Sequence, residues 1–330
     1  MRVATIDIGT NSVLLLVAER RDGELVPLVE RATITRLGQG VDATRTLAPE
    51  AVERTLACLA RYGEELRALG VERVERIDAV GTSAMRDAAG GDAFVARARE
   101  LLGVAPRVIS GDEEAALTFA GALTGLSLPP GPCAVFDIGG GSTEIIVGTT
   151  AGGARRVEQA VSLDVGSVRL TERHIRSDPP TEAELAAVRA DIRAALAAAP
   201  PPPLPAPAPA PLGAAGASGS APPFLVGVAG TVTTVAALVL DVVPYDAARV
   251  HGARLHREQV QAATSRLAAL PVAARRQLPA IEPARADVIV AGSLLIEEIL
   301  AWAGGPGASP ADELIASDRG VRWGLAQRLA

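Results

Sequence analysis

One short pattern occurs twice in this chain, Asp7-Ile8-Gly9-Thr10-Asn11-Ser12 and Asp137-Ile138-Gly139-Gly140-Gly141-Ser142-Thr143, the two aspartates standing 130 positions apart. Val3, Ala4 and Ile6 precede the first copy and Val13 to Val17 follow it. Ala134, Val135 and Phe136 precede the second, with Ile145, Ile146 and Val147 after it. Each copy is therefore predicted to be strand, tight turn, strand. Glycine admits positive φ and lets a backbone approach a ligand closely, so a turn of Gly, Ser and Thr can aim N–H groups and hydroxyls at one anion. The candidate phosphate contacts are Gly9, Thr10, Asn11 and Ser12 in the first turn and Gly139, Gly140, Gly141, Ser142 and Thr143 in the second. Asp7 and Asp137, which open the turns, would repel a phosphate unless a hard divalent cation lay between them, which points to Mg²⁺ or a similar ion such as Mn²⁺. Two such hairpins imply two similar halves gripping one phosphorylated ligand from both sides.

Composition narrows the chemistry. The chain has 330 residues, a length suited to two domains, and 48% apolar with 21% charged residues describes a soluble globular protein. It contains no lysine, which removes a Walker A lysine and Schiff-base chemistry. His174, His251 and His256 form no HExxH or His-Asp pattern, so zinc-hydrolase and HD-type phosphohydrolase readings have no support. A formal charge of −6 and 2% aromatic residues argue against a nucleic-acid-binding surface. Asp7 interrupts the first apolar stretch and no uncharged run reaches the ~20 residues of a membrane span, so neither signal peptide nor membrane contact is expected and the expected compartment is the cytoplasm. Cys58 and Cys133 are expected to be buried small residues rather than a disulfide.

Along the first half the patterning predicts a third strand from Glu30 to Arg36, a turn at Leu37 to Gly40, and a helix entered at Pro49 whose Val52, Leu56, Leu59, Gly63 and Leu66 share one face, ending at Gly70. A strand through Ile77 to Val80, a helix from Asp92 to Leu102, a strand at Arg107 to Ile109 and a helix through Thr118 to Leu123 complete an α/β layered domain, 1–128. The second domain, 129–315, repeats the hairpin and a third strand ending near Leu163. It continues through LDVGSVRLTER into a helix, then into a second helix from Thr181 with Glu184 completing a capping box. Pro200 to Pro223 holds ten of the 24 prolines and reads as a disordered surface insertion. Phe224 to Val228 resumes as a strand.

Four groups of residues add chemistry. Gly230 and Thr231, after that strand, offer a helix N-terminus to an anion, or form a plain strand-to-helix turn. Gly111-Asp112-Glu113-Glu114 opens a helix. Acidic residues suit a first turn through the helix dipole alone, and a carboxylate there can also deprotonate water for attack on phosphorus. In TSAMRDA, Thr82 or Ser83 is a helix-cap candidate, and Arg86 binds phosphate or pairs with Asp87 or Asp92. Arg169, Arg173, Arg285 and Arg322 are further anion-track candidates, and Glu144 on the outgoing strand is a candidate metal ligand.

Taken together, DIGTNS, RLGQG, GTSAMRDA, ISGDEEA, DIGGGSTE, VAGTVTT, RADVIVAG and SDRGVRWGL resemble the exopolyphosphatase/guanosine pentaphosphate phosphohydrolase (Ppx/GppA) family of the actin-like and sugar kinase superfamily. The resemblance implies two ribonuclease-H-like (actin-like ATPase) domains with the active site in the cleft between them, the last helix, 316–330, rejoining the first. It implies Mg²⁺-dependent release of terminal orthophosphate from inorganic polyphosphate, with Glu114 as the catalytic glutamate, the two turns as phosphate loops, and Asp7, Asp137 and Glu144 at the metal. It also implies a homodimer and regulation by guanosine tetra- or pentaphosphate. The resemblance further implies a short form without the helical third domain of longer members, and Trp323 stands where the family more often has glutamate. Guanosine pentaphosphate as substrate, an acceptor-dependent kinase, and a nucleotide- or alarmone-binding scaffold are the alternatives.

Overall fold

A computed structural model describes residues 1–69, 76–151, 154–199, 224–303 and 311–330. The proline-rich tract and the helix stop expected at Gly70 lie outside the described residues. The chain divides into two compact units. One comprises Met1–Thr124, Gly139–Ser142 and Arg319–Ala330, the other Gly125–Ile138 and Thr143–Asp318.

In the first unit, β1 (Arg2–Ile8), β2 (Ser12–Arg21) and β3 (Glu24–Ile34) form an antiparallel meander, followed by α1 (Val41–Thr44), α2 (Pro49–Ala68), β4 (Arg76–Gly81), α3 (Ser83–Asp87), α4 (Gly91–Leu102), β5 (Arg107–Val108) and α5 (Gly111–Ala122). The sheet order is β3-β2-β1-β4-β5, with β4 and β5 parallel to β1. β1 is central and buried from Val3 through Ile8, which is why its sequence is nearly unbroken apolar. β3 is an edge strand with no buried residue, so its pattern is weak and the expectation that it begins at Glu30 is corrected to Glu24. The signal for the earlier start was Asp22-Gly23. Both residues have positive φ, 50° and 86°, as a two-residue type I′ hairpin requires. α2 buries Leu56, Leu59, Tyr62 and Leu66 against β2 and α4, each such side chain contributing roughly 1.5–3 kcal/mol. Both cysteines are free and buried.

The second unit opens with the hairpin β6 (Gly131–Ile138) and β7 (Thr143–Ala151), then β8 (Ala154–Leu163), α6 (Ser167–His174), α7 (Glu182–Ala198), β9 (Phe224–Val228), α8 (Ala229–Val239), α9 (Ala247–Val250), β10 (Arg254–His256), α10 (Arg257–Ala268), α11 (Val272–Arg275), α12 (Ile289–Ala303) and β11 (Glu313–Ala316). Its sheet order, β10-β11-β9-β6-β7-β8, repeats the first sheet strand for strand and adds β10 at one edge. The capping box at α7 forms: Glu184 accepts from the backbone N–H groups of Thr181, Arg176 and Ser177, which hold its carboxyl down at about 2. The fold is thus two ribonuclease-H-like units of the actin-like type.

The last helix, α13 (Val321–Leu329), belongs to the first unit and packs on α5, β1 and β2. Its Trp323 is fully buried beside Val3, Leu16 and Ala18. The indole Nε1 donates to Glu30 Oε2 (3.4 Å), and the Arg319 guanidinium lies 4.1 Å above the ring. Arg322, an anion-track candidate by sequence, instead donates to Glu30 Oε2 (2.8 Å) and the Arg31 carbonyl (3.2 Å). None of the described helices is long and apolar enough to cross a membrane.

Candidate phosphate-binding and catalytic site

The duplicated turns close the same way. Gly9 N–H donates to the Ser12 carbonyl (2.9 Å), and Gly139 N–H to the Ser142 carbonyl (3.0 Å). Around the first turn, neighbouring segments capture the outward carbonyls. The N–H groups of Thr35 and Arg36 donate to Asn11 O (3.0 Å each), Gly38 N–H to Thr10 O (2.9 Å) and Thr82 N–H to Ile8 O (3.3 Å). Carbonyl oxygens repel phosphate, so tying them to protein donors prepares the turn for an anion. RLGQG and GTSAMRDA therefore serve as the walls of DIGTNS.

Asp7, the penultimate residue of β1, pairs with Leu14 and Val80 and is 9% exposed. Thr10 and Asn11 are buried, and among the described residues Asn11 Oδ1 has no hydrogen-bond partner. A buried amide edge left unpaired costs roughly 1–3 kcal/mol, so a ligand that engages it is welcome. Thr10 Oγ1 lies 2.8 Å from Ser83 Oγ. Ser83 was expected at most to cap a helix, but neither it nor Thr82 makes a side-chain cap to α3.

Glu114 sits in the first turn of α5. Ser110 Oγ caps that helix by accepting from Glu113 N–H (3.1 Å). The two adjacent acids then part company. Glu113 accepts from Arg107 (2.8 Å) and Arg328 (2.9 Å), and against the opposing push of burial these two arginines hold its carboxyl low. Glu114 is buried at 6% exposure and meets Arg86: Nη1 donates to Oε2 at 2.5 Å and to the Ile109 carbonyl at 3.1 Å. Burial pushes the Glu114 carboxyl above the ordinary range, Arg86 pulls it partly back, and Asp87 adds to the rise. The pair Arg86–Glu114 replaces the Arg86–Asp87 or Arg86–Asp92 pair considered from sequence. The three-residue spacing to Ser83 puts a hydroxyl and a guanidinium one turn apart on α3.

In the second hairpin, Asp137, the penultimate residue of β6, is half-buried, and Glu144 on β7 is 3% exposed and accepts from Ser162 Oγ (2.8 Å). Thr143 spends its hydroxyl proton on the Val165 carbonyl (2.6 Å), so its side chain is a latch for the segment entering α6 rather than a phosphate donor. Among the described residues no three His, Cys, Asp or Glu side chains gather into a ready cation shell. Mg²⁺ asks less than that. It commonly takes one or two carboxylates and fills its octahedron with phosphate oxygens and water, and the hard oxygens of Asp7 and Asn11 in the first unit, and those of Asp137 and Glu144 in the second, are each of the kind it takes.

Gly230 and Thr231 lie in the first turn of α8. The residue before them, Ala229, has φ 71°, a left-handed conformation that costs a β-carbon about 1–3 kcal/mol. The Arg285 guanidinium rests on Gly230 so closely that a Cβ there would overlap it. Burial pushes Arg285 below its usual pKa, with Glu282 and Tyr245 opposing, and among the described residues its guanidinium makes no hydrogen bond or ion pair. A cation at the positive end of a helix favours an anion beside it. Arg169 and Arg173 differ: they pair with Asp164 (3.0 Å) and Asp191 (3.3 Å).

The sequence profile of the Ppx/GppA phosphatase family matches residues 16–329. Exopolyphosphatase 2 of Mycobacterium tuberculosis is 39% identical over 307 residues, 90% of this chain and 89% of that protein. The guanosine-5'-triphosphate,3'-diphosphate pyrophosphatase of Vibrio atlanticus is 37% identical over 173 residues, 52% of this chain and 33% of that protein. The crystal structure of an exopolyphosphatase-like protein aligns over the whole of both chains at 33% identity and a TM-score of 0.86.

Proposed function

This chain belongs to the Ppx/GppA phosphatase family, and we propose that it is an exopolyphosphatase that hydrolyses terminal orthophosphate from inorganic polyphosphate. The observation that carries the mechanism is the buried Glu114 held by Arg86, whose own helix also carries the hydroxyl bonded to the phosphate turn. The turn Gly9 to Ser12, with Gly139 to Ser142, holds the terminal phosphates. Glu114 takes a proton from water as the water oxygen bonds to phosphorus, and the bridging P–O bond breaks to leave a chain one phosphate shorter. Phosphoryl transfer asks mainly for positioning and charge stabilisation, which this inventory supplies. Mg²⁺, if held by the carboxylate of Asp7 in the first unit or by those of Asp137 and Glu144 in the second, would neutralise the phosphate oxygens. Arg86 uses only Nη1 on protein among the described residues, which leaves its remaining N–H groups for a phosphate oxygen.

The deciding experiment is phosphate release with Mg²⁺ from long polyphosphate, short polyphosphate and guanosine pentaphosphate. Release from polyphosphate supports this reading. Release from guanosine pentaphosphate alone transfers it to that substrate, on which the Vibrio relative's name bears. Release from neither moves the weight to a kinase or a binding scaffold.

Two expectations follow from charge. Glu114 must be ionised to act as a base, so the acid limb of kcat/KM is expected above the ordinary carboxylate range of about 4.3. Arg86→Ala removes the pull that lowers this carboxyl, so the limb is expected to move to higher pH; a limb that stays or falls sinks the pairing as a functional one. Arg285→Ala is expected to raise KM for polyphosphate about tenfold with kcat little changed, the loss of one charge-assisted contact in binding. An unchanged KM would make Arg285 a structural residue of α8.

A further inference from the structure

We infer that the Ser83 hydroxyl is a further substrate-binding group, one half of a two-hydroxyl donor that meets an oxygen of the terminal phosphoryl group; this rests on the hydrolase reading above. Thr10 Oγ1 and Ser83 Oγ are 2.8 Å apart, and the residues are 8% and 6% exposed. Two hydroxyls bring two protons. Their mutual hydrogen bond uses one, and among the described residues neither hydroxyl oxygen has another hydrogen-bond partner. One O–H is thus left in a buried place, where an unmet donor is unfavourable and a phosphate oxygen is a strong acceptor.

The direction of the pair is defined by what packs around it. A Cβ on Gly38 would overlap Thr10 Cγ2, so that methyl is wedged against the RLGQG turn and the Thr10 rotamer is held. On the other side, a Cβ on Gly141 would stand 3.2 Å from Thr10 Oγ1 and 3.4 Å from Ser83 Oγ. Gly141 belongs to the same compact unit, so the hydroxyl pair lies against the second phosphate turn, at a point where only a glycine leaves both oxygens unobstructed. One turn further along α3, Arg86 holds Glu114. The short helix α3 therefore fixes the phosphoryl contact relative to the base: Ser83 addresses the group under attack, and Arg86 addresses the group that activates the water. A serine that merely ties one loop to another predicts something else, a loss of stability without a loss of affinity.

The test compares wild type, Ser83→Ala, Thr10→Val and the double variant for phosphate release from polyphosphate, for tripolyphosphate binding by calorimetry, and for thermal midpoint. Ser83→Ala is expected to lower kcat/KM and tripolyphosphate affinity about tenfold to a hundredfold, the range for a hydrogen bond to a charged group. The double variant is expected to lose little more than the worse single variant, because the two hydroxyls act as one donor. Ser83→Cys, near in size and a weak donor, carries the same expectation should the alanine variant fold poorly. Ser83→Ala within twofold of wild type in both readouts, or losses that multiply in the double variant, overturns the inference. A wild-type chain that releases no phosphate sinks the hydrolase reading instead, and the tripolyphosphate affinities of the same variants still decide the role of Ser83.

Discussion

Glu114→Gln is expected to lower kcat on polyphosphate by about 10²- to 10⁴-fold, the range for removal of a positioned general base, with KM within a few-fold of wild type. The amide keeps the size of the carboxyl and a hydrogen-bonding oxygen for Arg86, so the phosphate turn, made by other residues, is left in place. The change does not act through stability in the direction that would confuse the result. A carboxyl whose folded pKa is raised contributes stability below its unfolded pKa and loses it as pH rises through the folded one, so above that folded pKa the ionised Glu114 is a cost to the fold. A variant that melts no lower than wild type and turns over at wild-type rate would remove Glu114 from the mechanism. The split from its neighbour is a further check: Glu113→Gln, which touches Arg107 and Arg328, is expected to leave the acid limb of the rate profile where it was.

Gly324→Ala is expected to destabilise the protein by about 3 kcal/mol, the upper part of the range for overpacking, and to lower the apparent thermal midpoint by roughly 6–12 °C. Helix propensity alone predicts the opposite, a gain of roughly 0.5–1 kcal/mol for replacing glycine by alanine inside a helix. Packing decides against it. A Cβ on Gly324 would overlap the Leu117 carbonyl, and one on Gly121 would overlap the Gly320 carbonyl and the Gly324 nitrogen, so α13 and α5 meet backbone to backbone. Those atoms cannot swing aside as a side chain can. The same interface seats Val321 and Leu325 against Val80, Ile109 and Leu117, and Thr5 Oγ1 donates to the Arg322 carbonyl (2.9 Å), so α13 braces the strand that carries Asp7. Thermal unfolding of the single variant checks this, and a midpoint equal to or above that of wild type would show that the two helices separate without cost.

By itself the sequence determined the duplicated architecture, because a Gly-rich turn between two apolar runs has one inexpensive backbone solution and the chain writes it twice. It also determined the capped α7 and the family, since caps and motifs are local patterns of residue type. It placed Glu114 in a first helical turn but left two uses open for an acid there, because helix-dipole stabilisation and water activation ask for the same residue type. Tertiary structure separated Glu113 from Glu114: Arg107 and Arg328, distant in sequence, neutralise one, while burial beside Arg86 sets the other apart. It alone joined Ser83 to Thr10 across 73 residues and set Arg285 against Gly230. It also showed that Thr143 and Arg322 were already committed to protein partners. The weakly patterned β3 was misread at its start because an edge strand with no buried residue has no face to announce in sequence. Periodicity and turn chemistry act over a few residues and can be read from them. Which hydroxyl, carboxylate or guanidinium is left available to a ligand depends on partners that only the packed chain brings within hydrogen-bonding distance.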